Sequence, residues 1–424
     1  MVKVGFLEHH LCLRGTTTAL YDYACANVDV VENTSVILYQ SDHPENNAEV
    51  IEKFRKRFQL LPYKNISELD SIITREGIQY LYVIKYGNID AEISNKVPTL
   101  VHSVFAYQPH GKYATVSAEL ALENKADWLP HIVNPLNVST EKKAAFRDEL
   151  KIPQNAIVYG RYGGSTTFSI QYVKECIIEE IEHLKHVWFV FAGTVPFFKH
   201  PRVIFLEGIA DLDEKATFVS GCDYMLHART DGETFGLAVA EFATAGRPVL
   251  TTHSQEYNDH IHLLGDRAII YNDKENLRWL FHSLSHPKPF TTPDPYAFFT
   301  PKNMMKRFWA ILLDLQKTKN YIPGKDSPRE IIVPNFKKGN LLDSLILPPQ
   351  RDLAVILSKG YSQYELQALE EKFDTVIVYD TDPIRRMVSK LNCLDKTEVF
   401  ESSSSPEEVM TNLGIEDPSQ ICII

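Results

Sequence analysis

The sequence has no apolar run approaching ~18 residues, which leaves no segment to span a bilayer. It has no Cys-x-x-Cys pair. Its 6 cysteines (Cys12, Cys25, Cys176, Cys222, Cys393 and Cys422) are scattered along 424 residues, which excludes a paired-cysteine zinc or redox motif and suits a reducing compartment. It has no surplus of positive charge: 44 Lys and Arg stand against 55 Asp and Glu, a formal net charge of -11, so a chain that coats nucleic acid is not expected. No basic amphipathic helix announces a membrane surface. The start, Met1-Val-Lys-Val-Gly-Phe-Leu, runs straight into a strand pattern without signal-peptide character, and a cytoplasmic protein is expected.

What is present is a globular composition, 44% hydrophobic and 11% aromatic, on a chain too long for one ordinary core. Short runs of β-branched and aromatic residues alternate with helical patterns. Strands are expected at 2–8, 35–39, 80–84, 99–105, 114–117 and 128–133, and again at 156–159, 187–192 and 203–207. Such alternation predicts parallel sheets flanked by helices, whose ligands sit beyond the carboxyl ends of the strands. Residues 130–135 and the polar stretch 137–153 predict a linker between two such domains. Thr300-Pro301 predicts the start of a helix over 301–316 with an apolar stripe at Met304, Phe308, Ile311 and Leu312.

The most informative stretch follows a short strand pattern at 222–226. It reads His227-Ala-Arg-Thr-Asp-Gly-Glu-Thr-Phe-Gly236, then a helix of small and apolar residues, then Gly246-Arg-Pro-Val249. A helix opening near Thr234, Phe235 and Gly236 presents unpaired amides and the positive end of its dipole, an anion site. Glu233 precedes that helix and Glu241 lies within it, on the order of 10 Å apart at ~1.5 Å rise per residue. That span matches a nucleotide diphosphate sugar lying across the helix start, with a carboxylate accepting hydroxyl hydrogen bonds at each end. Two further turns are suited to a close ligand: Arg14-Gly15-Thr16 at the first strand-to-helix junction, and Gly160-Arg-Tyr-Gly-Gly-Ser165.

Glu-Thr-Phe-Gly, the second glutamate and Gly-x-Pro-Val together resemble the Glu-x7-Glu signature of retaining GT-B glycosyltransferases, in particular the family 4-like group. The resemblance covers about residues 1–317 and implies an α/β chain of GT-B type: two Rossmann-like domains facing a cleft, plus a small C-terminal α/β extension. The expected domains are an acceptor-side domain at 1–136, a nucleotide-sugar domain at 137–317 whose last helix crosses back, a linker at 318–350 and an extension at 351–424. His102, Arg161 and Glu233 are the catalytic residues it implies, with His102 after a strand and directed at the donor sugar. Gly15, Gly163, Gly164, Ser165, Arg229, Thr234, Phe235, Gly236 and Glu241 are the donor-binding residues. The family also places a lysine a few residues after the arginine, and 165–169 here carries none. Lys174, Arg229, or the amides of Gly163 and Gly164 with the hydroxyls of Ser165 and Thr166 are the replacements. His110, on a Pro/Gly loop, is a further candidate for the same cleft.

The activity implied is transfer of a sugar from a nucleotide diphosphate sugar to an acceptor hydroxyl of a glycan or glycoconjugate, with retention, by a same-face route needing no metal and no cofactor. No nucleic-acid partner is expected. Competing readings are an epimerase or sugar phosphorylase of the same fold, a catalytically silent module that binds a sugar nucleotide or glycan, and a bifunctional chain whose tail has its own activity. In that tail Asp380-Thr-Asp382 suggests an acidic ligand pair, but Ser358-Lys-Gly-Tyr361 is no phosphate loop, and a structural or interaction role is expected.

Overall fold

Strands buried on both faces need helices on both sides, and the first lobe has that form. In the computed structural model, residues 2–290, 294 and 296–313 are described, with three further strands. Strands β1 (Lys3–Leu7), β2 (Thr34–Gln40), β3 (Gln59–Tyr63), β4 (Tyr80–Lys85), β5 (Thr99–Ser103), β6 (Lys112–Thr115) and β7 (Asp127–Trp128) form one sheet in the order β3-β2-β1-β4-β5-β6-β7. Every pairing is parallel. Helices α1 (Gly15–Asp29), α2 (Ala48–Arg55), α3 (Leu69–Glu76) and α4 (Ala118–Asn124) make the crossovers. Their limits follow local chemistry: Asn47 accepts from the amides of Glu49 and Val50 to start α2, and Gly77 in the left-handed region ends α3.

The second lobe repeats the plan. Helix α5 (Thr140–Glu149) leads to β8 (Ile157–Tyr162), α6 (Gln171–Glu180), β9 (Val187–Ala192), β10 (Val203–Leu206), α7 (Leu212–Gly221), β11 (Tyr224–Leu226), α8 (Leu237–Thr244), β12 (Val249–Thr251), α9 (Asp259–Leu264), β13 (Ala268–Ile270) and α10 (Lys274–Ser283). The sheet order is β10-β9-β8-β11-β12-β13, again parallel. Its core stacks Tyr159, Phe189 and Phe191, with Phe281 edge-on to Tyr159 and Phe189. In both sheets the strand order reverses beside the first strand, at β1/β4 and β8/β11, the place where such folds open a crevice.

The polar stretch 137–153 is not an extended linker. It holds α5, capped by the Ser139 side chain on the Lys142 amide. Arg147 on this helix is fully buried and donates to Asp223 Oδ2 (2.7 Å) and to the carbonyls of Gly221 (3.0 Å) and Ala156 (2.9 Å), which fastens α5 to the second lobe. At 128–133 only Trp128 ends in strand pairing, and the chain then runs as a loop toward the cleft.

Helix α11 (Pro301–Leu312) starts at the Thr300 cap and packs on the first lobe, not the second. Its Phe308 ring meets Phe6 (6.3 Å), Tyr23 (5.8 Å) and Tyr82 (5.5 Å). Arg307 donates to the Trp128 carbonyl at 3.3 Å. A second tie crosses at Asp259, whose carboxylate accepts from the amides of Ala118 (2.5 Å) and Glu119 (3.1 Å) and from the Ser117 hydroxyl (3.0 Å). A carboxylate of α9 thus caps α4 of the opposite lobe.

A separate compact unit, Asp314–Ile424, contains the parallel strands β14 (Ala354–Ser358), β15 (Thr375–Asp380) and β16 (Thr397–Glu401), paired in chain order. The expected linker at 318–350 and Asp382 lie outside the described residues. No helix among the described residues is long and apolar enough to cross a membrane.

Candidate functional site

Loops leaving β1, β8 and β11 meet beyond the carboxyl ends of both sheets and line a cleft of about 1340 Å³ between the lobes. The loop after β11 is shaped by two glycines. Gly232 has φ +69°, and a Cβ there would lie 1.8 Å from the Tyr257 carbonyl oxygen, so only glycine fits. Gly236, at φ +75°, is the N-cap of α8 and brings no side-chain acceptor to it. The first-turn amides of α8 therefore stay uncapped, and Leu237, Ala238 and Val239 line the cleft. Facing them, α1 also begins without a side-chain cap, at Gly15, beside Thr16 and Thr17. Two helix N-termini thus open on one space, which suits an anion with two charged groups.

Acid and base groups are arranged around it. Arg229 donates to Glu233 Oε2 at 3.1 Å, and His227 Nε2 lies 3.5 Å from Oε1, an electrostatic contact longer than a good hydrogen bond. Burial alone would raise the Glu233 carboxyl. His227, Arg229 and the more distant His260 outweigh it and hold the group down at about 2. It is a carboxylate at neutral pH, an acceptor and not an acid. Arg161 is buried and donates to the hydroxyls of Thr194 and Thr167 and to the Gly164 carbonyl (3.0 Å). Burial pulls it down to about 10 against the pull of Glu233, so it keeps its charge at neutral pH.

Glu241, one face further along α8, is gripped at both oxygens, by Lys215 Nζ on Oε1 (2.8 Å) and by the Tyr162 hydroxyl on Oε2 (2.7 Å). A carboxylate offers roughly four lone-pair sites, so two remain for a ligand. Glu8, at the end of β1, is raised to about 8 by burial against hydrogen bonds from Thr16 and Thr17. It is neutral at pH 7, and adds no negative charge where α1 begins.

Of the expected residues, Gly15, Arg161, Gly163, Gly164, Ser165, Arg229, Glu233, Thr234, Gly236 and Glu241 all line the cleft. Phe235 lies behind the wall, packed edge-on against His131 (5.4 Å) and Phe299 (5.1 Å). His102 does not reach the cleft. It is fully buried, its Nε2 donates to the Leu129 carbonyl, and the Tyr82 hydroxyl donates to Nδ1 at 2.6 Å. Strand β5 ends one residue later, too early to turn that ring outward. His131 lines the cleft in its stead, with Nδ1 unpaired. Burial pushes it down to about 4 although Glu233 opposes this, so it is a neutral imidazole at pH 7.

Lys174 rests over the Phe197 ring at 5.8 Å and, like His110, is not a cleft residue. The lysines that do line the cleft are Lys53, Lys85 and Lys215. Sequence reasoning missed His131 and Lys215. The signal for His131 was its place between Pro130 and Pro135, where two domains meet around a ligand. For Lys215 the only signal was a lone cation in the helix before the central strand.

Two parallel lobes with this strand order and a shared cleft define the GT-B glycosyltransferase fold, with a C-terminal extension. No protein-family model matches the chain, and no curated protein matches it by sequence. Among solved structures, a glycosyltransferase from Rickettsia africae ESF-5 superposes with a TM-score of 0.52 at 13% identity, over 75% of this chain and 99% of that one. HepE of Anabaena, in complex with UDP and glucose, gives 0.52 at 13% over 76% of this chain and 100% of that one. Its complex with UDP-glucose gives 0.52 at 12% identity over the same shares.

Proposed function

We propose that the chain is a retaining glycosyltransferase of the family 4-like kind, moving a sugar from a nucleotide diphosphate sugar to an acceptor hydroxyl of a glycan or glycoconjugate. The observation that carries this reading is the uncapped start of α8, flanked by Glu233 and Glu241, facing the uncapped start of α1 across the cleft. The diphosphate lies between the two helix starts, the ribose on Glu241 and the sugar hydroxyls on Glu233. As the glycosidic bond breaks, negative charge grows on the diphosphate. The helix amides, Arg161 and Arg229 then bind it more tightly than they bind the ground state.

Arg229 takes the part of the absent lysine. It is already in the cleft, beside Glu233, and releases one of its carboxylate partners at small cost when a phosphate arrives. The acceptor attacks from the face the leaving group vacates, and a diphosphate oxygen takes its proton, so no protein nucleophile is needed. Neutral His131 offers Nδ1 to a sugar hydroxyl. Protein cations and amides supply the neutralisation that a metal would otherwise bring to the diphosphate. Closure of the lobes excludes water and limits hydrolysis of the donor. The unpaired cysteines Cys12, Cys25, Cys176 and Cys222 suit a cytoplasmic place of work.

The test is calorimetric titration of the full chain with UDP, GDP, ADP and UDP-glucose. The complexes of HepE make the uridine nucleotides the first choice. One nucleotide is expected to bind and to lose affinity in Glu241→Ala, and transfer from its sugar is expected to give product of retained anomeric configuration. Binding without transfer or hydrolysis would favour the silent sugar-nucleotide module, and inverted product would overturn the same-face route.

A further inference from the structure

Adjacent parallel strands β1 and β2 end side by side, and each runs into a loop with histidine. The first supplies His9 and His10 and the second His43. The Gln40 amide donates to the His9 carbonyl at 2.9 Å and holds the two loops in register. Three imidazoles crowd together there. Ring centroids are 4.2 Å apart for His9 and His10, 5.0 Å for His9 and His43, and 4.4 Å for His10 and His43, the last pair stacked. One ring nitrogen from each lies within 4.8 Å of the other two.

Ordinary core histidines hydrogen bond through their nitrogens, as His102 does. His10 does not. It is 3% exposed, and neither Nδ1 nor Nε2 makes a hydrogen bond. What faces it is the Glu45 carboxylate, with Oε2 3.2 Å from His10 Nε2, while Oε1 accepts from Arg14 at 2.8 Å. A buried ring without a hydrogen bond at either nitrogen, beside two more imidazoles and a carboxylate, is costly unless something binds there.

We propose that His9, His10 and His43 bind one divalent transition-metal ion of the zinc type, with Glu45 Oε2 as fourth ligand. Three imidazoles and a carboxylate are a donor set that zinc accepts in tetrahedral form. Nitrogens at ~2.0–2.1 Å from the ion stand roughly 3.3 Å apart, so the rings close up by about an ångström. Both His9 and His43 are partly exposed. His43 Nδ1 accepts a 3.2 Å hydrogen bond from the Glu45 amide. Binding through either nitrogen gives up that bond. Arg14 remains on Glu45 Oε1, an outer partner that orients the carboxylate. The ion ties the loop before α1 to the loop before α2 on the first lobe. His9, His10 and Glu45 also line the cleft, and the site rests on their geometry alone, not on the reaction proposed there.

The experiment uses the full chain, free of any histidine tag and stripped with EDTA, titrated with Zn²⁺ against a chromophoric chelator. One equivalent is expected to bind, and Co²⁺ in its place is expected to show the intense visible band of a tetrahedral site. Outer partners of bound metals are worth roughly ten- to hundredfold in affinity, so losing a ligand in His9→Asn or His43→Asn is expected to cost about hundredfold or more. Asparagine can still accept the Glu45 amide. The metal-free variants are therefore expected to melt with the metal-free wild type. A purely packing role predicts lowered melting and no metal effect. No binding by the wild type, or equal binding in both variants, overturns the site.

Discussion

Lys215 Nζ lies 2.8 Å from Glu241 Oε1, an enclosed ion pair between α7 and α8 in the cleft wall. Both side chains are less than a tenth exposed. Removing one partner of such a pair costs ~3–5 kcal/mol, because the other charge is left buried alone. Glu241→Ala is therefore expected to unfold at clearly lower urea concentration as well as to lose nucleotide affinity. The double variant Lys215→Met/Glu241→Leu is expected to regain most of the stability and none of the affinity. Urea unfolding and calorimetry on the three proteins separate the two effects. Equal affinity in the double variant and the wild type would remove Glu241 from the ribose site.

The two histidines give a second separation. His102→Ala deletes a fully buried ring with two hydrogen bonds and is expected to cost about 2–4 kcal/mol of stability. His131→Ala leaves the core intact beyond its contacts with Phe235 and the His102 ring, and is expected to lower transfer by roughly hundredfold with a modest stability change. If His102→Ala were stable and inactive while His131→Ala stayed active, the cleft assignment would be reversed.

Why the sequence pointed to His102 and not to His131 follows from register. The pattern at 99–105 shows a strand with His102 near its end, but the side a ring faces turns on a single residue of register. Strand β5 stops at Ser103 with His102 inward, paired across the sheet to Ile84. Gly236 was legible because its chemistry is local: a left-handed turn before a helix admits little else. Helix α5 hid because Thr140–Glu149 is mostly polar, and the burial of Phe146 and Arg147 against the second lobe shows what it is for. Lys215 pairs with Glu241 across 26 positions, a contact no periodicity announces. Alternating strands and helices made both sheets readable, because that order depends on local pattern and on the handedness of crossovers.

Glycine substitutions test the two helix starts. A Cβ on Gly15 meets nothing within 4 Å, so Gly15→Ala is expected to fold and melt like the wild type. It projects into the cleft where the diphosphate is proposed to lie, and nucleotide affinity is expected to fall about tenfold, one methyl's worth of lost approach. Gly232→Ala meets the Tyr257 carbonyl and a positive φ, and is expected to lower both stability and affinity. Normal affinity in Gly15→Ala would place the ligand away from α1.

Glu233 sets an acid limit. Its carboxyl is held at about 2, below the ordinary 4.5. A depressed value means stability that is present above the ordinary pKa and is lost as pH falls through the folded one. The stability gap between wild type and Glu233→Gln is expected to narrow as pH falls from about 4.5 toward 2. Transfer by Glu233→Gln is expected to fall roughly hundredfold or more, with nucleotide affinity retained, because the sugar and not the nucleotide loses its acceptor. A constant gap across that pH range would show that the folded protein does not hold the Glu233 carboxyl below its ordinary value.

Asp259 behaves in the opposite sense. Burial raises its carboxyl to about 7, with Glu119 adding to the rise, against hydrogen bonds from the amide of Glu119, the Ser117 hydroxyl and the amide of Ala118 that lower it. The ordinary value is 3.8. Between these limits the folded chain holds a proton that the unfolded chain has lost, so the slope of unfolding free energy with pH is negative. Stability from this tie is greatest below about 4 and declines as pH rises through 7. Asp259→Asn keeps an oxygen for the α4 amides and carries no charge. Its stability is expected to be flat over the same window and to exceed the wild type at pH 8, as read by urea midpoints at each pH. A wild type that gains stability from pH 5 to 8 while Asp259→Asn does not would mean the three donors win over burial, and the carboxylate joins the lobes as an ion.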